Sequence, residues 1–499
     1  MHTDASREEI DRAAEAAWST FSSYGKLSLR DRASLLRTIA QELEANSEEL
    51  LKTATGETSL PQPRLQNELN RTLFQLRSYA DAGERGEWLD LRIDTALPQR
   101  NPPRPDLRKM QIPLGPVVVF GASNFPFAYS TAGGDTATAL MAGCPVIVKA
   151  HPAHAATSEL AAAAISRAVR QRGLPDGVFA HLHGSSFESG RQLVTHPCIK
   201  AVGFTGSYAG GKALFDAANL RKDPIPVFAE MGSINPVFLL PHKLRESCAQ
   251  TALLYAGSIT LSVGQFCTNP GLLVGLDGED LNGFIRELGE QIRHIAPGRM
   301  LHAGIAQAYR DKRSLALSQE SVETVAVSAE PPREGEGIPT IASATAKAFL
   351  NNPILHQEVF GPYSLVIRCA DMSEMLSVAR RIEGQLTATL MATEADVQEQ
   401  PDLMMALQEI CGRMILNGVP TGVEVCLSMH HGGPFPATTD SRFTSVGADA
   451  IRRFARPMAF QNWPDILLPE ELKDANPLRM WRTVNNLLTQ EPAQRPNSA

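Results

Sequence analysis

An alternation of short apolar strands and helices from residue 117 to about residue 240 limits the folds open to this chain. The segments VVVF, PVIV, AVGF and PVFA are continuously apolar, and helical stretches rich in alanine and glycine separate them. Apolar strands that alternate with helices indicate a parallel sheet covered on both faces. The pattern predicts a doubly wound α/β domain, which binds its ligands at the carboxyl ends of the strands.

The length of 499 residues exceeds what one hydrophobic core accommodates, so more than one domain is expected. We predict a dinucleotide-binding domain from residues 1–84 and 114–237, and a second doubly wound α/β domain from residues 238–428. Residues 85–113 contain two strand-like pieces around a proline-rich bend, and an isolated hairpin is marginal in water. We therefore interpret residues 85–113 and 429–499 as a β oligomerisation arm and a C-terminal tail.

Composition excludes several classes of protein. The formal net charge is −7 and no run of lysine and arginine stands out, so nothing favours a nucleic-acid partner. The amino-terminal residues are polar and helical, and no apolar run has the length of a membrane span, so no membrane partner is expected. The seven cysteines form no C-x-x-C pair and are odd in number, which favours a reducing cytoplasm.

Cys267 stands in the stretch SVGQFCTNPG, between an apolar helical segment and the strand-like run LLVG. A free cysteine is most often a small buried hydrophobe, whereas tight polar turns lie at surfaces and clefts. The chain therefore carries a thiol at a position where a core cysteine is not expected.

Two polar residues follow predicted strands of the first domain. Glu230 ends the strand in FAEMGSINP, where α/β enzymes place chemistry, although a solvated surface glutamate explains it equally well. Asn124 lies in the loop after the first strand, in FGASNFPF. Its amide is either a donor to an oxyanion or the start of an Asx turn.

The usual dinucleotide fingerprint G-x-G-x-x-G does not follow the first strand. The stretch GFTGSYAGG instead offers Gly206, Ser207 and Gly211 at a strand-to-helix turn, where bare N–H groups and a hydroxyl suit a phosphate. Helix capping by Ser207 and close packing of the glycines is the alternative. Lys149, at a strand end, is either a ligand contact or a solvated side chain. The stretch QEVFGP, with Glu358 and Phe360, is either part of a functional site or an ordinary Gly-Pro turn.

The order of these stretches resembles the aldehyde dehydrogenase superfamily over residues 115–447. The matching pieces are NFP, the strand-end lysine, GFTGS, AEMGSINP, GQFCTNPG and EVFGP, with a typical spacing between Glu230 and Cys267. The stretches KAHPAH and TGVEVCLSMHHGGPFPATTDSRFTSVG and the tail WPDILLPEELKDANPLRMW are similar to the branch that oxidises 2,5-dioxopentanoate, α-ketoglutaric semialdehyde, to 2-oxoglutarate.

The resemblance implies an aldehyde dehydrogenase-like α/β fold and a role for each candidate. Cys267 becomes the nucleophile that forms a thiohemiacetal and then a thioester. Its backbone N–H and Asn124 stabilise the oxyanion, and Glu230 activates the water that hydrolyses the thioester. The cofactor-binding residues implied are Lys149, Gly206, Ser207, Gly211, Glu358 and Phe360.

One departure from the family pattern bears on the cofactor. A glutamate that commonly follows the lysine at the third position is replaced here by Pro152. A carboxylate at that position repels a 2′-phosphate, so its absence predicts NADP as the preferred cofactor, with NAD also possible. His183, Ser185 and Arg191 follow the next strand and are the candidate contacts of the phosphate.

A second departure concerns the substrate. The helix after NFP lacks the arginine with which related succinate semialdehyde enzymes bind a carboxylate, so a carboxylate substrate needs another cation. Arg442 and Arg71 are the two candidates, and a surface or interface ion pair is the alternative for both.

Rival functions remain. A dehydrogenase of fatty or other neutral aldehydes is the nearest alternative. CoA-acylating relatives usually lack the glutamate that Glu230 supplies, and catalytically idle structural relatives usually lose the nucleophile. A plain thiol hydrolase requires a histidine partner, and no recognisable stretch pairs one with Cys267. The expected partners are a small aldehyde and other copies of the chain, in a homodimer or homotetramer.

Overall fold

The computed structural model describes residues 3–494, and its helices and strands follow the predicted order. The first helix starts at a capping box, in which the Ser6 and Glu9 side chains each accept a hydrogen bond from the other's backbone N–H. The helices are α1 (Arg7–Tyr24), α2 (Leu29–Ala45), α3 (Ser47–Thr58), α4 (Gln62–Arg85), α5 (Gly134–Ala142), α6 (Ala155–Gln171), α7 (Phe187–Thr195), α8 (Tyr208–Asn219), α9 (Pro241–Thr260), α10 (Glu279–Arg293), α11 (Ala303–Leu317), α12 (Ala346–Asn351), α13 (Met372–Arg381), α14 (Glu394–Glu399) and α15 (Pro401–Ile410).

The strands build three larger sheets and one two-stranded ribbon. They are β1 (Arg92–Asp94), β2 (Leu107–Pro113), β3 (Val117–Phe120), β4 (Val146–Lys149), β5 (Phe179–Leu182), β6 (Ala201–Thr205), β7 (Val227–Glu230), β8 (Val237–Leu239), β9 (Leu272–Leu276), β10 (Gly298–Arg299), β11 (Val322–Val327), β12 (Glu336–Gly337), β13 (Thr340–Thr345), β14 (Tyr363–Cys369), β15 (Gln385–Met391), β16 (Cys411–Leu416), β17 (Ala455–Gln461), β18 (Arg482–Val484) and β19 (Leu487–Thr489).

The first sheet has the order β5-β4-β3-β6-β7 and is parallel throughout. Its strands are apolar because both faces are covered, by α2 to α6 on one side and by α1, α7 and α8 on the other. In the strand register Phe120 pairs with Lys149, and Thr205 pairs with Glu230. Lys149, Thr205 and Glu230 therefore stand at the carboxyl-end edge of the sheet, which confirms the predicted doubly wound arrangement.

The second sheet has the order β11-β13-β14-β9-β8-β15-β16. It is parallel except for β11, which runs antiparallel to β13. Separate apolar clusters cover its two faces, one around Phe238 and Phe349 and the other around Tyr255 and Phe284. The segment that carries Cys267 leads directly into β9, the central part of this sheet.

The third sheet, β17-β2-β1-β18-β19, unites the predicted arm with the C-terminal segment. Strand β2 pairs antiparallel with β1 on one side and with β17 on the other. Residues 429–447, which the sequence assigned to the arm and tail, lie elsewhere. Their Thr438 bridges Glu230, and Thr439 N donates to Ala229 O at 3.1 Å. The reason is that the free edge of β7 offers them backbone partners.

No helix between residues 3 and 494 combines the length and the apolar composition that crossing a membrane requires.

Candidate active site

Glu230 is held at the end of β7 by contacts from both sides of the strand. Its backbone carbonyl accepts a hydrogen bond from Gly206 N at 3.0 Å. Glu230 also forms an isolated antiparallel β-bridge with Thr438, in residues 429–447. The side chain is buried, with 4% of its surface exposed. The predicted surface alternative is therefore wrong, since a carboxylate this buried needs partners.

The turn before Cys267 is unusual in its backbone. After α9, Ser262 and Val263 have φ of 48° and 57°, and a β-branched residue is rarely found in the left-handed region. Such residues cost about 1–3 kcal/mol each and cluster at functional sites. Gly264 follows with φ of 64°, and a Cβ there would lie 2.3 Å from the backbone of Gly361. The left-handed conformations of this turn let Gly264 pack closely against Gly361, and this packing holds the segment that carries Cys267.

A second anchor holds the carbonyl side of Cys267. Asn235 Nδ2 donates to Cys267 O at 2.8 Å and to Asn269 O at 3.0 Å. Asn235 is fully buried, and its own N–H donates to Gln385 Oε1 at 3.1 Å. The loop after Glu230 and the turn of Cys267 are therefore tied together by one amide side chain.

His431 completes a cluster that the sequence did not reveal. Its Nε2 lies 3.7 Å from Cys267 Sγ and 3.0 Å from Glu230 Oε1. Ser445 Oγ donates to Glu230 Oε2 at 2.8 Å. The expectation that no histidine pairs with Cys267 is wrong, because His431 lies far along the chain and reaches the thiol only through the fold.

The site lowers the pKa of Glu230 and raises the pKa of Cys267. Burial works against the charged form of Glu230, but His431, Ser445 and Cys267 outweigh it, and the net pKa of Glu230 lies below its ordinary value. Burial, followed by the adjacent Glu230 charge, raises the pKa of the Cys267 thiol well above its ordinary value. In the free site the carboxylate is therefore ionised and the thiol holds its proton.

Asn124 lies near the turn that carries Cys267. Its Nδ2 donates to Gln265 O at 3.0 Å, two residues before Cys267, and the second amide hydrogen is available for an oxyanion. Arg64 Nη2 donates to Asn124 O at 2.8 Å, and its guanidinium lies over the rings of Phe125 and Phe266. These contacts fix the loop that carries Asn124.

A cavity of about 200 Å³ opens onto Cys267. Arg71 reaches it from α4, and its guanidinium donates to Val423 O and, at 3.1 Å, to Tyr129 Oη. Arg442 does not line it, since its side chain is 79% exposed and pairs with Asp440 at 2.5 Å. Of the two predicted arginines, the fold brings only Arg71 to the nucleophile. The lining residues are Arg64, Asn67, Glu68, Arg71, Phe125, Tyr129, Phe266, Cys267, Thr268, Gly422 and Val423.

The glycine-rich turn after β6 serves first as a helix cap. Ser207 Oγ accepts from Gly210 N at 3.2 Å and begins α8. Gly211 is buried, and a Cβ there would lie 2.6 Å from Met231. Both observations match the capping alternative, and the first-turn N–H groups of α8 still present a positive helix end to a phosphate. Lys149, at the same sheet edge, is half-buried, and burial lowers its pKa.

Glu358 and Phe360 lie across from the loop that follows β7. A Cβ on Gly232 would lie 2.7 Å from Glu358 Oε2, so this approach requires glycine. Desolvation raises the pKa of Glu358 to about 7, against the opposing effects of Lys312 and the Ser233 N–H. A carboxyl, an ammonium and a helix N-terminus are the groups that bind ribose hydroxyls and phosphates, so these residues fit a dinucleotide.

The three candidate contacts of a 2′-phosphate each lie beside a carboxylate. His183 Nε2 is 2.7 Å from Glu159, and Arg191 Nη2 is 2.8 Å from Glu188. Ser185 N donates to Asp4 Oδ1 at 2.6 Å. The charges next to these residues disfavour a phosphate, so none of the three is singled out by the structure.

The family model described as the aldehyde dehydrogenase family matches residues 2–434, most of the chain, including Glu230, Cys267 and His431. The chain belongs to the aldehyde dehydrogenase family.

Two relatives of this aldehyde dehydrogenase match it almost from end to end. The α-ketoglutaric semialdehyde dehydrogenase 2 of Azospirillum brasilense is 48% identical over 479 residues, which cover 96% of this chain and 91% of that protein. The α-ketoglutaric semialdehyde dehydrogenase of Acinetobacter baylyi is 45% identical over 492 residues, 98% and 93% of the two chains.

Among solved structures, the 1-pyrroline-5-carboxylate dehydrogenase from Thermus with bound NAD has a TM-score of 0.77 to this aldehyde dehydrogenase. The match covers 92% of this chain and 86% of that one at 22% sequence identity. At this identity the likeness establishes the fold, and it confirms the aldehyde dehydrogenase-like architecture.

Proposed function

We propose that this aldehyde dehydrogenase oxidises 2,5-dioxopentanoate, α-ketoglutaric semialdehyde, to 2-oxoglutarate. Near-full-length similarity to two dehydrogenases that carry this substrate in their names is the observation that supports it most. The cavity beside Cys267 contains a cation, Arg71, and a buried substrate carboxylate needs a charged partner, which supports the proposal.

The chemistry begins at Cys267, whose Sγ attacks the aldehyde carbon. The thiol proton passes to solvent. His431 Nε2 donates a hydrogen bond to Glu230 Oε1 when it carries the hydrogen, so the carboxylate stays ionised. His431 is then a positioning residue, which orients Glu230 and stabilises its charge. The oxyanion accepts hydrogen bonds from Asn124 Nδ2 and the Cys267 N–H, and one such donor contributes about 2.7–4 kcal/mol in other enzymes.

A bound nicotinamide supplies the hydride acceptor that oxidation of the thiohemiacetal requires. Lys149 and Glu358 would hold its riboses, Phe360 would pack near the ring, and Gly206, Ser207 and Gly211 would approach its phosphates. Glu230 then removes a proton from the water that hydrolyses the thioester, which releases the acid and restores the thiol.

The substrate's carboxylate is assigned to Arg71, since a guanidinium binds a carboxylate in a bidentate manner. We expect Arg71→Met to raise KM for 2,5-dioxopentanoate while sparing hexanal, a neutral aldehyde. Arg442→Met is the matched control and should change neither. Equal losses with both substrates in Arg71→Met would favour the alternative, a neutral or fatty aldehyde, which the aromatic residues Phe125 and Phe266 of the cavity suit.

Family membership supports a nicotinamide cofactor, and we propose NADP as the preferred one with NAD also accepted. The proposal rests on Pro152, which precedes α6 where a glutamate would repel the 2′-phosphate. Pro152→Glu should raise KM for NADP more than KM for NAD. A KM for NAD about tenfold below that for NADP in the unchanged protein would contradict the preference.

Assembly into a homodimer or homotetramer is proposed through the third sheet. Its edge strand β19 exposes Leu487 and Leu488, and the edge strand β16 of the second sheet exposes Leu416. Exposed apolar edges of this kind are stabilised by a neighbouring chain. A single monomer species at micromolar concentration in sedimentation would contradict it. A cytoplasmic location is proposed on the seven cysteines, none of which forms a disulfide within residues 3–494.

The experiment that tests the function is a panel of aldehydes assayed with NAD and NADP. Acid formation without CoA or phosphate, with 2,5-dioxopentanoate giving the highest kcat/KM, supports the proposal. Strict dependence on CoA, or no turnover of any aldehyde, would indicate an acylating relative or an idle structural protein instead.

A further inference from the structure

Cys267, His431 and Glu230 together present three metal-ligating atoms to one point. Sγ and Nε2 are 3.7 Å apart, and Nε2 and Oε1 are 3.0 Å apart. All three atoms lie within 4.8 Å of one another. Within residues 3–494, these side chains form a group of histidine, cysteine and carboxylate ligands that could hold a metal ion. We call these three side chains the CHE cluster.

The separations in the CHE cluster match those around a zinc ion. Zinc binds sulfur at about 2.3 Å and nitrogen or oxygen at about 2.0–2.2 Å, so tetrahedral ligands of these types lie about 3.4–3.6 Å apart. The observed 3.7 Å and 3.0 Å differ from these values by a few tenths of an ångström. Binding also requires side-chain rotations that bring Cys267 Sγ and the Glu230 carboxylate oxygen, which lie within 4.8 Å of each other, to about 3.6 Å.

The charges balance as well. A Cys267 thiolate and a Glu230 carboxylate contribute two negative charges, and a neutral His431 contributes none, so a divalent cation makes the buried site neutral. His431 coordinates through Nε2 only as the tautomer that carries its hydrogen on Nδ1, which leaves the ring neutral. The net proton released is that of the thiol, which passes to solvent as the sulfur–metal bond forms. No electron is transferred, and no bond within the protein breaks.

The protein already supports the ligands in the way that metal sites require. Ser445 Oγ donates to Glu230 Oε2 at 2.8 Å, which leaves Oε1 to face the cluster. His431 itself is held by its backbone N–H, which donates to Thr444 Oγ1 at 2.8 Å. Outer hydrogen bonds of this kind orient ligands and strengthen metal binding.

From this geometry we infer that the CHE cluster is a reversible inhibitory site for Zn²⁺. Cys267 lines the cavity, and a bound ion withdraws both the nucleophile and the base of the proposed mechanism. The ion would also shield the thiol from oxidation, since a coordinated thiolate is less available to oxidants. The inference uses the residues of the proposed mechanism, but metal binding itself requires neither an aldehyde nor a cofactor.

Direct binding tests the inference independently of the proposed function. The reduced, chelator-treated protein is titrated with Zn²⁺ by calorimetry and with Co²⁺ by absorption, because a cobalt–thiolate bond gives a charge-transfer band. We expect one ion per chain and a thiolate band in the unchanged protein. Cys267→Ala should lose the band, and His431→Asn should weaken binding by about tenfold or more.

Two control variants keep the comparison matched. Cys426→Ser removes an exposed thiol, and His430→Asn changes the neighbouring imidazole, and both should bind as the unchanged protein does. If His431→Asn does not fold, Cys267→Ala alone decides the result through the cobalt band. In turnover assays Zn²⁺ should inhibit and a chelator should restore activity.

Retention of the ion in both Cys267→Ala and His431→Asn, or equal loss in the two controls, would overturn the assignment. Absence of any ion at micromolar Zn²⁺ would overturn it too. Failure of 2,5-dioxopentanoate as a substrate would leave these binding results unchanged, so the two proposals fail separately.

Discussion

Replacement of Glu230 by glutamine should make the Cys267 thiol more reactive in the free enzyme while it slows turnover. Glu230 is ionised and lies with Cys267 in the CHE cluster, and its charge contributes to the raised pKa of the thiol. Glu230→Gln removes that charge without changing the volume of the side chain. A general base that generated thiolate before the substrate binds would have the opposite effect on the thiol.

The size of the effect follows from the distance. Two unit charges within the observed 4.8 Å interact by about 3 kcal/mol at an effective dielectric constant near 20. That energy corresponds to about two orders of magnitude in the thiolate population. A less basic thiolate is also less nucleophilic, and the Brønsted slope of about 0.4–0.5 removes nearly half of the gain on a logarithmic scale. The expected increase in reaction rate at neutral pH is therefore about tenfold.

The assay is the rate of reaction of Cys267 with dithiodipyridine, without substrate or cofactor, across neutral and alkaline pH. Cys267→Ala identifies the signal of this thiol among the other cysteines. Ser445→Ala is the matched control, because it removes a hydrogen bond from Glu230 but keeps the charge, and it should change the rate less. A slower reaction in Glu230→Gln would refute the reasoning and show that the carboxylate activates the thiol.

Other outcomes follow from the same site. Cys267→Ser and Cys267→Ala should abolish dehydrogenase activity, because a hydroxyl is far less nucleophilic than a thiolate, and retention of most of kcat in either would remove Cys267 as nucleophile. Glu230→Gln should give a burst of reduced cofactor followed by slow turnover, whereas equal loss of both phases would mean that Glu230 acts before hydrolysis. Glu358 has a pKa raised from 4.5 to about 7 in the folded chain, so its cost to stability grows as pH rises through that window. The stability of Glu358→Gln relative to the unchanged protein should therefore increase between those pH values. The gain should be at most about 3 kcal/mol, because the side chain is partly exposed. A difference in urea midpoint that does not change with pH would contradict this.

The sequence by itself determined the alternation of strands and helices in the first domain, and it placed Glu230 at a strand end and Cys267 in a turn. Short apolar runs that alternate with helices indicate covered strands, and the carboxyl ends of parallel strands meet at one edge. The turn before β9 was recognisable as a polar stretch between a helix and a strand, but its left-handed backbone depends on close packing of Gly264 against Gly361. The stretch that contains His431 was recognisable as part of the family resemblance, but nothing in its spacing pointed to the thiol.

Only the tertiary structure decided which distant residues share the site. His431 reaches Cys267 and Glu230 because residues 429–447 pair with the edge of β7 instead of remaining in the arm. Arg71 lines the cavity because α4 passes beside the turn of Cys267, whereas Arg442 points to solvent in the same folded chain. Local propensity carries no information on such contacts, since they are set by how separate domains pack and by which strand edges remain unpaired.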